Sequence, residues 1–433
     1  MLKNIKLEST VEQLSFLSAE QVLAVQSQFG TPAFVYDQNT LQDQARQALA
    51  FPNAFGLTAR YAMKACPSAA VIRILNRAGL HIDASSGYEA LRALRTGVPA
   101  DQIQITAQQL PDNLAELVAQ GVLFNACSLR QLSAYGELFP DSEVSVRINP
   151  GLGSGHSNRT NVGGPSSSFG IWHEYLDQVL ATAAAHDVRI TGLHSHIGSG
   201  SDPAVWQRCA ELVLQVVAKM PDIARVSMGG GFKVGRMEGE ASTDLQVAGQ
   251  PVAEAFENFA RKHGRQLHME VEPGTFFVAN AGALICSVID VVDTGTAGHK
   301  FIKIDSGMTE VLRPSMYGAQ HPIVVVPAQE GDRGQGEYLV AGHCCESGDI
   351  LTPESDNPEG LTARTLCEPQ IGDAVFIGGS GAYCAGMAAK NYNSFPEAPE
   401  VLLDSDGEMH LVRRRQSLDQ VLANEELPAF LAA

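Results

Sequence analysis

The residue with the clearest chemical potential is a lysine among apolar and small neighbours. Lys64 lies in the run YAMKAC at 61–66, directly before Pro67. Apolar surroundings disfavour a charged amine, so a lysine held there has a lowered pKa and can form an imine with an aldehyde such as pyridoxal phosphate. Most lysines instead lie at the surface with their stems along apolar groups, and this alternative stays open for Lys64 taken alone.

Two further segments place a carboxylate and an imidazole at the ends of predicted strands. In EVEPG at 270–274, Glu272 lies nearer the strand end and could bind and protonate a pyridine nitrogen, whereas Glu270 is interpreted as structural. HSHIGS at 194–199 has a histidine spacing that metal sites also use, but the sequence offers too few further ligands. We interpret His194 as part of a satisfied core network, and His196 as a ring packed on a cofactor, with Ser199 on its phosphate.

Three consecutive glycines could cradle that phosphate. Gly229, Gly230 and Gly231 directly follow a predicted strand, where they can turn backbone N–H groups toward an anion. The run lacks the GxGxxG spacing of a dinucleotide site and has no Walker lysine. A plain tight turn is at least as compatible with the pattern.

The C-terminal half carries a second set of reactive residues. CCESGD at 344–349 combines thiols with two acids, which fits either a catalytic proton donor or an acidic surface loop with packed cysteines. Tyr383 could bring a phenol to a phosphate. Arg313 and Tyr317 could bring a guanidinium and a phenol to a substrate carboxylate.

These residues need a fold that gathers strand ends, and the N-terminal part of the chain predicts one. Short apolar strands alternate with helical patterns over about 240 residues, which is typical of an eight-fold (β/α)8 TIM-like barrel, a parallel α/β fold. The predicted strands lie at 60–64, 81–84, 104–106, 123–126, 144–148, 190–194, 226–228 and 267–271. In this fold the chemistry gathers at the C-terminal ends of the strands. We expect the barrel to span 33–280.

The rest of the chain predicts a second domain. After about residue 275 the sequence changes to short β-rich segments separated by turn residues, which indicates an all-β domain at 281–433. An amphipathic helix predicted from Ser9 to Phe29 joins it, so the domain comprises 1–32 plus 281–433. The stretch 353–360 is predicted to be a loop.

Composition limits the function classes. The chain has 433 residues, is 45% hydrophobic and has a net charge of -18. That acidity opposes binding to nucleic acid or to an anionic membrane surface. Neither a signal peptide nor a membrane span is indicated, so we expect a cytoplasmic protein. The eight cysteines have no CxxC spacing, which favours reduced thiols over a disulfide framework or a metal site.

Ten motifs in order give the chain a resemblance to a known family. It resembles the pyridoxal-phosphate decarboxylases of the alanine-racemase-like fold, and among them the diaminopimelate decarboxylases in particular. The motifs are YAMKA at 61–65, DASSGYE at 83–89, RINP at 147–150, SFGI at 168–171, HSHIGS at 194–199, GGG at 229–231, EPG at 272–274, RPSMY at 313–317, CESGD at 345–349 and GAY at 381–383. The resemblance runs from about residue 30 to residue 393.

The resemblance implies a role for each matched residue. Lys64 would bond to the cofactor aldehyde, His196 would stack on its ring and Glu272 would meet its pyridine nitrogen. The phosphate would be surrounded by Ser199, Gly231, Gly274 and Tyr383, and the amino-acid substrate would meet Arg313, Tyr317 and Glu346. Cys345 would act in proton transfer. The family builds its sites across a homodimer interface, so Cys345 and Glu346 would come from the neighbouring subunit, and Asp83, Glu89 and Arg147 would give support inside the barrel.

Two departures concern the substrate. Thr275 stands where the family usually has an arginine after Glu-Pro-Gly, and Ser168 replaces a common lysine. A hydroxyl lacks the planar fork that binds a carboxylate through two bonds, although Arg313 or Arg159 could substitute. Because one of these arginines could bind the second carboxylate, we still expect decarboxylation of meso-diaminopimelate to lysine. The alternatives are a decarboxylase for ornithine, lysine or carboxynorspermidine, and an inactive decarboxylase-like regulator.

Overall fold

The N-terminal part of the described chain forms one helix and one strand. The computed structural model describes residues 12–152, 163–196, 200, 202–329, 331 and 333–431. Helix α1 (Ala19–Phe29) begins after Ser18, whose hydroxyl accepts from the Gln21 backbone N–H while the Gln21 side chain accepts from the Ser18 N–H. This reciprocal cap fixes the start of the helix. The predicted start at Ser9 is therefore wrong, because residues 12–18 are not helical. Strand β1 (Ala33–Asp37) follows.

The described chain divides into two compact units. One holds Asn39–Gly235 and Glu240–Val278. The other holds the described residues up to Gln38, the short segment Arg236–Gly239, and those from Ala279 onward.

The first unit is built on a closed barrel of parallel strands, as the alternating pattern predicted. Its strands are β2 (Leu57–Ala62), β3 (His81–Ala84), β4 (Ile103–Ile105), β5 (Leu123–Ala126), β6 (Glu143–Asn149), β7 (Ile171–Trp172), β8 (Arg189–His194), β9 (Arg225–Ser227) and β10 (His268–Val271). Eight of them close the barrel through the pairings of β2 with β10 and of β5 with β6, while β7 extends β6. The strands are buried along most of their length because helices cover the outer face.

Helices follow the strands along the barrel. They are α2 (Gln38–Leu49), α3 (Ala69–Arg77), α4 (Gly87–Arg95), α5 (Leu114–Ala119), α6 (Leu129–Leu138), α7 (Leu176–Ala185), α8 (Pro203–Val217), α9 (Leu245–His263) and α10 (Thr275–Val278). Several begin at a side-chain cap, such as Ser86, Ser128 and Asp244, which accept backbone N–H groups of the first turn. Ser86 and Ser128 each cap a helix that begins within three residues of the end of the preceding strand.

The second unit is a mixed β-sheet with short helices. Its further strands are β11 (Gly282–Asp293), β12 (Lys300–Ile304), β13 (Ile323–Val326), β14 (Gln335–Ala341), β15 (Pro353–Glu354), β16 (Asn357–Leu361), β17 (Arg364–Cys367), β18 (Ala374–Ile377), β19 (Glu400–Leu403) and β20 (Met409–Arg413). Its further helices are α11 (Arg313–Tyr317) and α12 (Leu418–Leu422). The predicted loop at 353–360 instead forms the small hairpin of β15 and β16.

Strand β1 belongs to this second unit. We expected the barrel domain to begin at residue 33, but the strand Ala33–Asp37 pairs antiparallel with β11 and parallel with β19. Its inward residues Ala33 and Val35 join an apolar cluster with Ile285, Phe376 and Val401, so the boundary lies after Gln38. Within the described ranges, no helix combines the length and the apolar character needed to cross a bilayer.

Candidate active site

Lys64 lies at the mouth of the barrel in a short 3-10 turn, Met63–Ala65, directly after β2. The turn buries Met63 and Ala65 and points Lys64 outward, so Lys64 is exposed while both neighbours are fully buried. The expected burial of this lysine is therefore wrong, because its apolar neighbours face the core and not its amine. The backbone N–H of Ala62 donates to the Pro273 carbonyl at 3.1 Å, which places the turn beside the Glu272 segment.

Glu272 is a buried carboxyl with two neutral donors on one oxygen. The Ser227 hydroxyl donates to Glu272 Oε1 at 2.8 Å and the Gln104 amide donates to the same oxygen at 3.4 Å. Burial raises the pKa of Glu272 to about 8, and the nearby negative charge of Asp83 adds to the increase. A carboxyl in this state can share a proton with a ring nitrogen.

Asp83 links this carboxyl to the lysine. Burial raises the pKa of Asp83, and the positive charge of Lys64 opposes that rise. Glu89 shows the same pattern at the start of α4, since burial raises its pKa while its Oε2 accepts the Ser85 backbone N–H at 2.6 Å. The positive charge of Lys64 thus acts on two buried carboxyls whose pKa values burial raises.

His196 supplies a neutral ring at the same mouth. Its pKa is lowered well below the usual 6.5 by burial, and the positive charges of Arg147 and Lys64 lower it further. Its Nδ1 atom is buried and has no hydrogen-bond partner among the described residues. A ring without such bonds is free to pack flat on an aromatic cofactor.

The glycine run lies against both His196 and Glu272. Gly229 has φ of +71°, and a Cβ there would lie 2.5 Å from His196 Nδ1. A Cβ at Gly230 would lie 2.3 Å from the Glu272 carbonyl oxygen. Gly231 has φ of +104°. A Cβ at Gly274 would lie 3.1 Å from the Ala62 carbonyl oxygen. The run is therefore glycine because the strand ends converge here.

Arg147 is a buried cation next to this cluster. Its guanidinium lies over the Phe169 ring, 4.8 Å from the centroid. Burial lowers its pKa, and the negative charges of Glu272 and Asp83 oppose the decrease. Of the two departures from the family pattern, Ser168 is exposed and Thr275 is half-buried at the start of α10. Ser199 and Arg159 lie outside the described residues.

In the β-rich unit, the Cys344–Asp349 segment folds around a buried acid. Asp349 accepts the backbone N–H of Met308 at 2.7 Å and that of Cys344 at 2.9 Å. The Cys345 N–H donates to the Asn393 side chain at 2.9 Å, while the side chains of Cys345 and Glu346 are exposed. Burial raises the pKa of the Cys344 thiol to about 12. Cys345 is thus the accessible thiol of the adjacent pair.

The other predicted residues of this unit occupy different elements. Arg313 begins α11 and Tyr317 ends it, and Arg313 Nε is buried without a hydrogen-bond partner in the described chain. Tyr383 is half-buried and has φ of +56°, a left-handed conformation that is uncommon outside glycine and asparagine and often marks a functional position.

Three polar residues of the barrel site were missed by the sequence reasoning. Gln104, Asn125 and Ser227 interrupt the apolar strands β4, β5 and β9, and all three are buried. A polar residue inside an otherwise apolar barrel strand is the sequence feature that could have identified them as part of the site.

The barrel residues fit pyridoxal phosphate. Lys64 offers an amine, His196 a ring face and Glu272 a carboxyl for the ring nitrogen, while Gly229 and Gly230 let the strand ends that carry His196 and Glu272 approach closely. A sequence model of the pyridoxal-binding domain of pyridoxal-dependent decarboxylases matches residues 41–279, more than half of the chain. The chain belongs to the pyridoxal-dependent decarboxylase family. Its barrel is the domain that binds pyridoxal phosphate.

Relatives of the family match nearly the whole chain. The diaminopimelate decarboxylase of Escherichia coli (strain K12) is 36% identical over 420 residues, which cover 95% of this chain and 97% of that protein. The diaminopimelate decarboxylase of Streptomyces coelicolor is 36% identical over 422 residues, 95% of this chain and 93% of that one. Both alignments include the two units.

Solved structures of diaminopimelate decarboxylases share the fold. One superposes with a TM-score of 0.88 at 34% identity and covers 94% of this chain and 96% of its own. Another, from Helicobacter pylori in complex with L-lysine, has a TM-score of 0.81 at 25% identity and covers 94% and 98%. The predicted barrel and C-terminal β domain are thus confirmed.

Proposed function

We propose that this member of the diaminopimelate decarboxylase family removes one carboxyl group of meso-diaminopimelate as carbon dioxide and forms L-lysine. The observation that carries the proposal is the full-length similarity, at 36% identity, to diaminopimelate decarboxylases from two organisms. The arrangement of Lys64, His196 and Glu272 at one barrel mouth supports it.

Each barrel residue has a defined task in this proposal. Pyridoxal phosphate, when bound, supplies an electron sink for the bond to the leaving carboxyl group. Lys64 would hold the aldehyde of the cofactor through its amine, and the substrate amine would take its place there. Glu272 would hold a proton at the ring nitrogen, and the uncharged His196 ring would cover one face of the cofactor and exclude water from it. The backbone N–H groups of the glycines 229–231 and 274 would meet the phosphate, together with Ser199 and Tyr383.

The residues of the β-rich unit act on the substrate side. Arg313 and Tyr317 bind the carboxylate that is retained, and Glu346 binds the amino group at the same end of the substrate. Cys345 donates a proton to the carbon that has lost its carboxyl group. The exposure of Cys345 and Glu346 in the single chain supports a homodimer in which each copy gives these residues to its neighbour's site. We place the protein in the cytoplasm because its composition fits a reduced compartment.

A second candidate function rests on Thr275. If the missing arginine is not replaced, the enzyme would act on an amino acid whose far end carries no carboxylate, such as ornithine, lysine or carboxynorspermidine. Arg313 favours meso-diaminopimelate as the substrate. Its Nε is buried without a hydrogen-bond partner in the described chain and could donate to a second carboxylate.

A comparison of substrates tests the proposal. Carbon dioxide release by the purified holoenzyme is measured with meso-diaminopimelate, ornithine, lysine and carboxynorspermidine, and Lys64→Ala serves as the inactive control. We expect kcat/KM for meso-diaminopimelate to exceed the others by at least about 100-fold, the effect of one charge-assisted pair. Faster release from a substrate with one carboxylate would replace the proposal with the second candidate.

A further inference from the structure

His194, the last residue of β8, is buried in the barrel and lies between two polar side chains. Its Nδ1 atom is 2.8 Å from the Asn125 amide nitrogen, and its Nε2 atom is 3.3 Å from Glu272 Oε2. Nε2 has no hydrogen bond of good geometry within the described chain. The ring is thus held on one side and aimed at a carboxylate on the other.

The orientation of Asn125 determines which ring nitrogen carries the proton. The Asn125 amide nitrogen also lies 3.3 Å from the Thr106 hydroxyl oxygen, and the Thr106 hydroxyl bonds to Asp83. Since the Thr106 proton is committed to Asp83, Thr106 accepts from Asn125, and the same amide donates to His194 Nδ1. Nδ1 is therefore unprotonated and Nε2 carries the hydrogen that faces Glu272.

The imidazole stays neutral in this position. Burial lowers the pKa of His194 well below 6.5, and the positive charge of Arg147 lowers it further. A neutral N–H next to a carboxylate acts as an orienting donor without neutralising its charge. The neutral imidazole therefore adds no positive charge beside Glu272 and does not oppose the raised pKa of that carboxyl.

The two oxygens of Glu272 have different environments. Oε1 accepts from Ser227 and Gln104, whereas Oε2 has His194 Nε2 as its near neighbour. We propose that Asn125 and His194 are positioning residues, which orient Glu272 Oε2 toward the ring nitrogen of bound pyridoxal phosphate. The proposal rests on the role of Glu272 given under the proposed function. This proposal replaces our interpretation of His194 as a core residue whose hydrogen bonds are all satisfied.

Cofactor affinity can isolate this effect from general stability. The apoenzyme is titrated with pyridoxal phosphate and with its 1-deaza analogue, in which a C–H replaces the ring nitrogen. The aldehyde and the phosphate are the same in both compounds, so the ratio of the two dissociation constants reports the bond to the ring nitrogen. For the wild type we expect a preference for pyridoxal phosphate of at least about 10-fold, as a charge-assisted hydrogen bond provides.

Four variants separate positioning from packing. His194→Ala and Asn125→Ala should reduce the preference by about 5-fold or more, because Oε2 loses its orienting donor or the tautomer is no longer fixed. His194→Gln should retain most of the preference, since its amide N–H reaches the Nε2 position. Ser195→Ala is the matched control, because Ser195 is the next residue, is fully buried and has a hydroxyl without a partner in the described chain. Its preference should equal that of the wild type.

Two results would overturn the proposal, and a further variant tests the assumption on which it rests. An unchanged preference in Asn125→Ala and in a folded His194 variant would overturn the proposal, as would an equal loss in Ser195→Ala. If His194→Ala does not fold, as judged by circular dichroism, the decision passes to Asn125→Ala and His194→Gln. Glu272→Gln tests the underlying assumption separately. If that variant keeps the full preference, the role proposed for Glu272 fails and not merely its positioning.

Discussion

The ring of His196 occupies the space in which a side chain at Gly229 would lie. A Cβ at residue 229 would be 2.5 Å from His196 Nδ1 and 2.7 Å from its Cβ, and φ of +71° disfavours any residue except glycine. The strand end of β8 and the turn after β9 are therefore packed directly on each other. The position of the stacking ring depends on the glycine run.

Gly229→Ala should weaken cofactor binding. Because the new methyl group must push the His196 ring aside, we expect the dissociation constant for pyridoxal phosphate to rise by at least about 10-fold, which corresponds to about 1.4 kcal/mol. The titration of the apoenzyme measures this. Gly239→Ala is the control, since Gly239 has φ of +83° with nothing within 4 Å of its Cβ position. Equal effects of the two substitutions would show that backbone strain, and not the contact with His196, is responsible.

Glu310 should make the stability of the protein depend on pH. Its Oε2 accepts from the hydroxyls of Ser306 and Thr309, and burial raises its pKa from 4.5 to about 7. Since the folded-state pKa is the higher one, the stabilisation is complete below about pH 4.5 and is lost as pH rises through about 7. Between pH 5 and pH 8, the unfolding free energy of Glu310→Gln should rise relative to wild type by about 2 to 3 kcal/mol.

Denaturant unfolding at the two pH values measures this difference. Glu359→Gln, at an exposed site of the same unit, should show no such change. If Glu310→Gln were displaced from wild type by the same amount at both pH values, Glu310 would not be the titrating group.

The buried pair of Arg60 and Glu270 should matter far more than an exposed pair of similar length. The two side chains are 3.2 Å apart and almost fully buried, whereas Arg189 and Glu143 are 2.7 Å apart and exposed. Arg60→Ala leaves an unpaired buried carboxylate and should cost about 3 to 5 kcal/mol. Arg189→Ala should cost less than about 1 kcal/mol. Denaturant unfolding gives both values, and similar costs would contradict the assigned difference in burial.

Asp349 should be required for the position of Cys345. Asp349→Ala removes the acceptor of two backbone N–H groups, at Met308 and Cys344, and each unsatisfied group costs about 1 to 3 kcal/mol. We expect lysine formation to fall by at least about 10-fold while the absorbance of the bound cofactor is unchanged. Asp349→Asn keeps one acceptor oxygen, so its rate of lysine formation should lie between those of the wild type and Asp349→Ala. Wild-type turnover in Asp349→Ala would mean that the fold of this loop does not position Cys345.

The sequence contained enough information to predict the barrel and the placement of four candidate residues at its strand ends. Strand-helix alternation implies parallel strands whose C-terminal ends meet, so Lys64, His196, Gly229 and Glu272 had to converge. The exposure of Lys64 was not predictable from its apolar neighbours, because the 3-10 turn rotates those neighbours inward and the amine outward.

Other features depend on contacts between residues that are distant in the chain. Asn125 and His194 are 69 residues apart, and no local pattern links them. The place of β1 in the second unit depends on its pairing with β11 and β19, far along the chain. The start of α1, in contrast, had a local signal, the cap formed by Ser18 and Gln21.

Product formation from meso-diaminopimelate tests the central claim most directly. The purified holoenzyme is incubated with carboxyl-labelled meso-diaminopimelate, and labelled carbon dioxide and L-lysine are quantified together. We predict equimolar carbon dioxide and L-lysine with the wild type and neither with Lys64→Ala. An enzyme that carries bound pyridoxal phosphate yet forms no L-lysine from this substrate would contradict the account.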